Sequence, residues 1–155
     1  MNNNDVLRRI RYIFDYSDQD MIDLFKLADC DVERTEVCDW LKKEDDEELV
    51  EMTDKELATF LNGFIIQKRG KREGPPPEPE DPLTNNAILR KLKIALDLKS
   101  DDILEMFASI NKKLSKHELS AFFRNEGHSS YRPFMDQYLR NFMSALQTKY
   151  RKIEE

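Results

Sequence analysis

The sequence predicts an all-α protein, a tandem duplication of a roughly four-helix unit joined by a Pro-rich linker. Three observations carry this. Glycine is scarce, 4 in 155 residues, which argues against a turn-rich all-β chain. Five of the six prolines sit in one stretch, Gly74 to Pro82. Proline lacks an amide hydrogen and clashes with the preceding turn, so this stretch cannot be a helix interior. The two halves beside it align without a gap when one is slid by 82 residues. Asn3, Asn4, Leu7 and Arg8 fall on Asn85, Asn86, Leu89 and Arg90, and Asp15, Asp20 and Phe25 on Asp97, Asp102 and Phe107. Asp54, Leu57 and Phe60 fall on Asp136, Leu139 and Phe142.

Each element follows from apolar spacing. Val6, Leu7, Ile10, Ile13 and Phe14 recur at helical period. Met21, Leu24, Phe25 and Ala28 form a second stripe, and Val37, Trp40 and Leu41 a third. Leu57, Phe60, Leu61, Phe64 and Ile65 form the fourth and longest. The second half repeats the order with Ile88, Leu89, Leu92 and Leu96; Ile103, Met106 and Phe107; Leu119, Phe122 and Phe123; and Leu139, Phe142, Met143 and Leu146. Asn4 and Asn86 are expected to cap the first helices, and Asp18 and Ser100 the second. Thr53 with Glu56, and Ser115 with Glu118, have capping-box spacing. The expected organisation is a first repeat at 1–72, an acidic connector at 73–84 and a second repeat at 85–155.

Composition narrows the class. Charged residues are 36% and aromatics 10%, which suits a charge-rich globular chain rather than a disordered one. No apolar run approaches the roughly 18–20 residues of a membrane helix, so no membrane partner is expected. Arg8, Arg9 and Arg11 interrupt any apolar leader core after Met1, and Cys30 and Cys38 suit a reducing compartment. The expected location is therefore cytoplasmic.

Charge divides unevenly. Residues 1–72 hold 12 basic and 18 acidic side chains, while residues 85–155 hold 13 basic and 9 acidic. Basic residues recur at equivalent places: Arg8, Arg9 and Arg11 on the first helix match Arg90, Lys91 and Lys93. Lys68, Arg69, Lys71 and Arg72 at the end of the first repeat's fourth helix correspond to Lys149, Arg151 and Lys152 at the end of the second's. If these surfaces lie together they would suit phosphate groups. Cations near a helix C-terminus are also what the helix dipole favours. Asn3 and Asn4, with Asn85 and Asn86, make a repeated polar site beside Arg8 and Arg90. Its expected role is helix capping with an ion pair to Glu36 or Glu118; the alternative is a pocket for an anion or peptide. The second and third stripes also have helix-turn-helix spacing, with Lys116, His117 and Arg124 on the recognition helix of the second half.

Several motifs together carry a family resemblance. They are the opening Asn-Asn-x-x-Leu-Arg, the run Trp40-Leu41-Lys42-Lys43-Glu44-Asp45, and Leu61-Asn62-Gly63 followed by Lys68-Arg69-Gly70-Lys71. The second Asn-Asn-x-x-Leu-Arg, after an acidic Pro-bearing linker, completes the order. The chain resembles the YehS-like family of small bacterial proteins that carry one domain twice. The resemblance implies the fold, the duplication and a bacterial cytosolic origin; it implies no activity.

Catalytic signatures are few. His117 and His128 stand where the first half has Thr35 and Asp46, so a duplicated histidine site is not expected. The four glycines are too scattered for a phosphate loop. Cys30 and Cys38 lack metal-ligand or redox spacing. The acidic run Glu44 to Glu48 lacks the alternation and glycine of a calcium loop. No catalytic residue, metal or cofactor is expected. The expected function is that of a non-enzymatic cytosolic interaction or regulatory protein that binds another macromolecule, with a dimer allowed. The alternative is a nucleic-acid or phosphate-group binder using the basic clusters on first and fourth helices.

Overall fold

The computed structural model describes residues 1–151, which form eight helices and no strand. In the first half these are α1 (Asn3–Phe14), α2 (Asp18–Leu27), α3 (Arg34–Leu41) and α4 (Asp54–Arg69). In the second they are α5 (Asn85–Ala95), α6 (Ser100–Ser109), α7 (Lys116–Phe122) and α8 (Asp136–Tyr150). Every helix of the second half starts 82 residues after its counterpart, so the duplication holds at the level of each helix start.

The helix starts differ in part from expectation. Asn2, not Asn4, caps α1 through a reciprocal pair with Asp5, and Thr84, not Asn86, caps α5. Ser17 and Lys99 precede α2 and α6, displacing Asp18 and Ser100 into the first turn. Thr53 with Glu56 and Ser115 with Glu118 form the expected capping boxes. The shift has a physical reason. Asn4 and Asn86 lie on the packed face of their helices, where their amides serve tertiary contacts instead of the helix end.

Two compact units divide the chain, Met1–Leu83 and Thr84–Glu155. The proline-rich stretch groups with the first. An extended, proline-rich backbone leaves its carbonyls free to accept, and Asn62 Nδ2 reaches Pro77 O at 3.4 Å. The Leu83 amide donates to Asp54 Oδ2 at 3.0 Å, which ties the end of the stretch to the start of α4.

Each unit has its own core. In the first, α2 packs on α4 and α3, and α1 on α3 and α4. Phe25 stands 5.4 Å from Trp40 and 5.3 Å from Phe60, ring centre to ring centre. Trp40 is only 3% exposed and is core, not a surface anchor. In the second unit Phe107 lies against Phe142, and Phe122 meets Phe134 edge-on at 4.9 Å. Gly63 marks a close crossing of α2 and α4. A Cβ there would stand 1.8 Å from the Leu24 carbonyl oxygen, so α2 and α4 approach closely only because that atom is missing. Ala145 occupies the equivalent place in α8.

The turns are duplicated too. Asp15 and Asp97 both adopt the left-handed region after their first helices, with φ of 53° and 52°. Asp29 and Asn111 do so after the second helices, at 58° and 60°. Asp and Asn tolerate this region because their short side chains can bond locally.

Candidate functional site

The repeated asparagines occupy the centre of each unit. Asn4 is 2% exposed and Asn86 5%. Asn4 Nδ2 donates to the carbonyls of Trp40 and Val50, both at 2.9 Å, and its Oδ1 accepts from the Met52 amide at 2.9 Å. Asn86 repeats this with Phe122 O at 3.0 Å, Arg132 O at 2.9 Å and Phe134 N at 2.8 Å. Both hydrogens of each amide, and its oxygen, are bound within the unit. Asn3 and Asn85 extend the pattern. Asn3 Nδ2 donates to Met52 O at 3.1 Å and Asp54 Oδ1 at 2.7 Å; Asn85 donates to Phe134 O at 3.0 Å and Asp136 Oδ1 at 2.8 Å. The asparagine pair of each unit therefore forms a latch. It holds the first helix, the end of the third and the segment leading into the fourth. An amide does this where alanine cannot, because the backbone groups of an irregular buried segment need partners.

The surface beside the latch is where the two units differ. In the first unit Arg8 donates through Nη1 to the Lys42 carbonyl at 2.7 Å and pairs with Asp5. The Lys42 ammonium is held by Asp39 at 2.7 Å and Glu48 at 2.9 Å. Its pKa is raised, first by the Asp39 hydrogen bond and then by Glu48. Arg11 lies 3.7 Å from Asp18. The expected partner of Arg8, Glu36, instead accepts from the Glu33 amide at the start of α3. Glu118 likewise receives the Ser115 amide, and the hydrogen bond from Ser115 lowers its pKa.

In the second unit the cations remain and their carboxylates are gone. Arg90 stands for Arg8 and Arg124 for Lys42. Ala87 replaces Asp5, Ala121 replaces Asp39, and Ser130 replaces Glu48. The loop Asn125-Glu126-Gly127-His128-Ser129-Ser130 replaces Lys43-Glu44-Asp45-Asp46-Glu47-Glu48. Position 50, an exposed valine, becomes the exposed Arg132. Three contacts fix this edge: Asn86 on Phe122 O, Lys93 Nζ 5.6 Å from the Phe123 ring centre, and the Arg132 amide on Ala121 O at 3.2 Å. Arg90 lies four residues after Asn86 and three before Lys93, so it shares their helical face. Arg90 and Arg124 are both exposed, and among the described residues neither has an ion pair.

The other basic residues read from the sequence scatter. Arg9 is half-buried, and Lys91, at 9% exposure, sits on the packed face of α5 and is not a surface cation. The reason is angular. Successive helical residues turn about 100°, so Arg90 and Lys91 cannot face the same way. Lys149 is exposed beside the Tyr150 ring, Arg151 is half-buried, and Lys152 lies outside the described residues. The helix-turn-helix expectation loses one of its three named residues in the second unit, while Lys116 and His117 lie on α7. α7 ends at Phe122, so Arg124 stands beyond the candidate recognition helix. Sequence reading placed Arg124 on that helix and passed over Arg132. The signal that finds both is the column of lost acids in the two aligned loops.

The remaining titratable groups have structural explanations. Burial pushes the Cys30 thiol up, away from a reactive thiolate, with Glu36 adding to it. Burial raises Tyr16 to about 12, with Asp20 reinforcing the shift, while its hydroxyl donates to Gln67 at 2.6 Å. His128 Nδ1 accepts from the Ser130 amide at 2.9 Å, which shapes the loop. Among the described residues no group of three His, Cys, Asp or Glu side chains is placed to hold a metal ion. No helix there is long and apolar enough to cross a membrane.

Comparison with known proteins agrees with the duplicated architecture. Residues 3–70 and 85–152 each match the family model described as "Protein of unknown function (DUF1456)". The chain is 38% identical over 150 residues to the "Uncharacterized protein YehS" of Escherichia coli strain K12, covering 96% of each. No solved structure matches.

Proposed function

The chain belongs to the DUF1456 family, and from that premise we propose that it is a non-enzymatic cytosolic interaction protein whose second repeat is the binding half. One observation carries this reading: on a shared scaffold, the edge around Arg90 and Arg124 has exchanged internal carboxylates for neutral side chains while keeping its cations. In the first unit those cations are satisfied internally. In the second they are left for an external anion, and complementary charge across an interface gives specificity and speeds encounter. The two free cysteines suit a reducing cytosol. The test is a pull-down from native lysate with the full chain and with R90Q/R124Q. At least one retained protein should be lost by the double variant. Identical captured sets, or turnover of a compound in a metabolite panel, would overturn the reading.

A second reading is nucleic-acid binding, favoured by the guanidinium groups of Arg90, Arg124 and Arg132 and the nearby Lys93. Phosphate contacts demand steep salt dependence. Labelled DNA and RNA that fail to bind even at low ionic strength would remove it.

A further inference from the structure

We infer that the edge formed by Arg90, Arg124 and Arg132 is a docking site for an acidic peptide segment of a partner protein, carrying at least two closely spaced carboxylates. The inference rests on the interaction reading above and names the partner's chemistry.

The first unit supplies the template. There the same backbone frame carries Arg8 paired with Asp5, and Lys42 Nζ within 2.7 Å of Asp39 and 2.9 Å of Glu48. Each cationic position of this scaffold thus takes a side-chain carboxylate at hydrogen-bond distance. In the second unit Ala87, Ala121 and Ser130 remove all three carboxylates, and Arg132 adds a cation next to the latch. Arginine in place of Lys42 adds a planar fork that accepts a carboxylate through two parallel hydrogen bonds. Lys93, held over the Phe123 ring, lies on the same side of α5 and completes the rim.

Charge decides between a peptide and a nucleic acid. The whole chain carries a net -6 although residues 85–155 hold 13 basic and 9 acidic side chains, so a long polyphosphate that runs beyond the second repeat meets the acidic remainder. Glu118, whose pKa Ser115 and then Arg132 help to lower, and Glu126 interrupt the run of cations, so a repeating phosphate backbone would meet them as it extends while a short acidic segment can seat on Arg90 and Arg124 alone. A short acidic segment senses charges within a Debye length, about 8 Å at physiological salt, and so meets mainly the local cations. The groups that fill the equivalent positions in the first unit are themselves carboxylates.

The experiment measures fluorescence anisotropy on the full chain with a labelled peptide of the chain's own sequence at 43–51, Lys-Glu-Asp-Asp-Glu-Glu-Leu-Val-Glu. Companion probes are the analogue with every acid replaced by its amide, and an oligonucleotide of similar length. The proteins are wild type, R90Q/R124Q, and K26Q/K55Q, which removes two exposed lysines elsewhere. The acidic peptide should bind wild type and K26Q/K55Q alike and weaken about tenfold in R90Q/R124Q. The amide analogue should not bind, and added salt should weaken the complex. Among the described residues Arg90 and Arg124 make no internal ion pair, so the double variant should keep the wild-type melting temperature. Should it not, the amide analogue still decides, because binding equal to that of the acidic peptide overturns the inference. No binding of the acidic peptide, equal loss in K26Q/K55Q, or tighter binding of the oligonucleotide also overturns it. If the peptide fails while the pull-down still loses a protein in R90Q/R124Q, only the peptide assignment falls. If the pull-down too is indifferent to the variant, the interaction reading falls with it.

Discussion

The Met52 amide donates to the Asn4 side-chain oxygen at 2.9 Å across 48 residues of chain, and Phe134 and Asn86 repeat the bond at 2.8 Å. The apolar residue before the fourth helix is thus seated by an amide on the first. Met52 and Phe134 are both buried, and each latch fixes where the fourth helix begins.

Replacing Asn4 by alanine strands a buried donor at Met52, a buried acceptor at Trp40 and a part-buried acceptor at Val50. Leaving such groups unmet costs about 1–3 kcal/mol each, so Asn4→Ala should lose about 3 kcal/mol or more in urea denaturation. Asn4→Asp should do no better, because a carboxylate accepts from Met52 but repels the carbonyls of Trp40 and Val50. A loss below about 1 kcal/mol, within the scatter of exposed substitutions, would show that the latch is not what holds the segment.

Gly63 and Ala145 are equivalent positions with opposite tolerance. Gly63→Ala drives a Cβ into the Leu24 carbonyl, and overpacking of this kind costs about 1–3 kcal/mol. Ala145→Gly only removes a methyl group from a helix interior and should cost about 1 kcal/mol. The two thermal shifts should differ in that order; equal shifts would mean that the α2 and α4 crossing relaxes freely.

Asn111 holds a left-handed turn at φ 60° on the surface. Asn111→Gly should be neutral or slightly stabilising, whereas Asn111→Ala should cost about 1 kcal/mol. Calorimetry of both variants checks the sign.

Tyr16 gives a pH signature. Its phenol is raised to about 12 by burial first and Asp20 second. A raised folded pKa contributes stability that is whole below the unfolded value near ~10 and is lost as pH rises through the folded value. Stability should therefore fall between those two values in the wild type and fall less in Tyr16→Phe. Burial also raises Tyr150, with Asp102 adding to it, so phenolate absorbance should show two of the five tyrosines ionising late, and only the Tyr16 share of that step should vanish in the variant.

Much of this architecture is legible in the sequence, and the reason is locality. Apolar spacing marks all eight helices because a helix is built from neighbours three and four residues apart. The proline stretch divides the repeats because proline acts on its own turn. Thr53 with Glu56 is readable because a capping box spans only three residues.

Local pattern in the chain yields the helical duplication and the residues in which the copies differ. The roles of those residues come from packing between distant segments. Asn4 reads as a cap until Trp40, Val50 and Met52 converge on it from 36 to 48 residues away. Arg90 and Lys91 read as one basic cluster until the rotation of α5 buries the second and exposes the first. Burial and long-range hydrogen bonds depend on which distant backbone atoms meet, and no local pattern encodes that meeting.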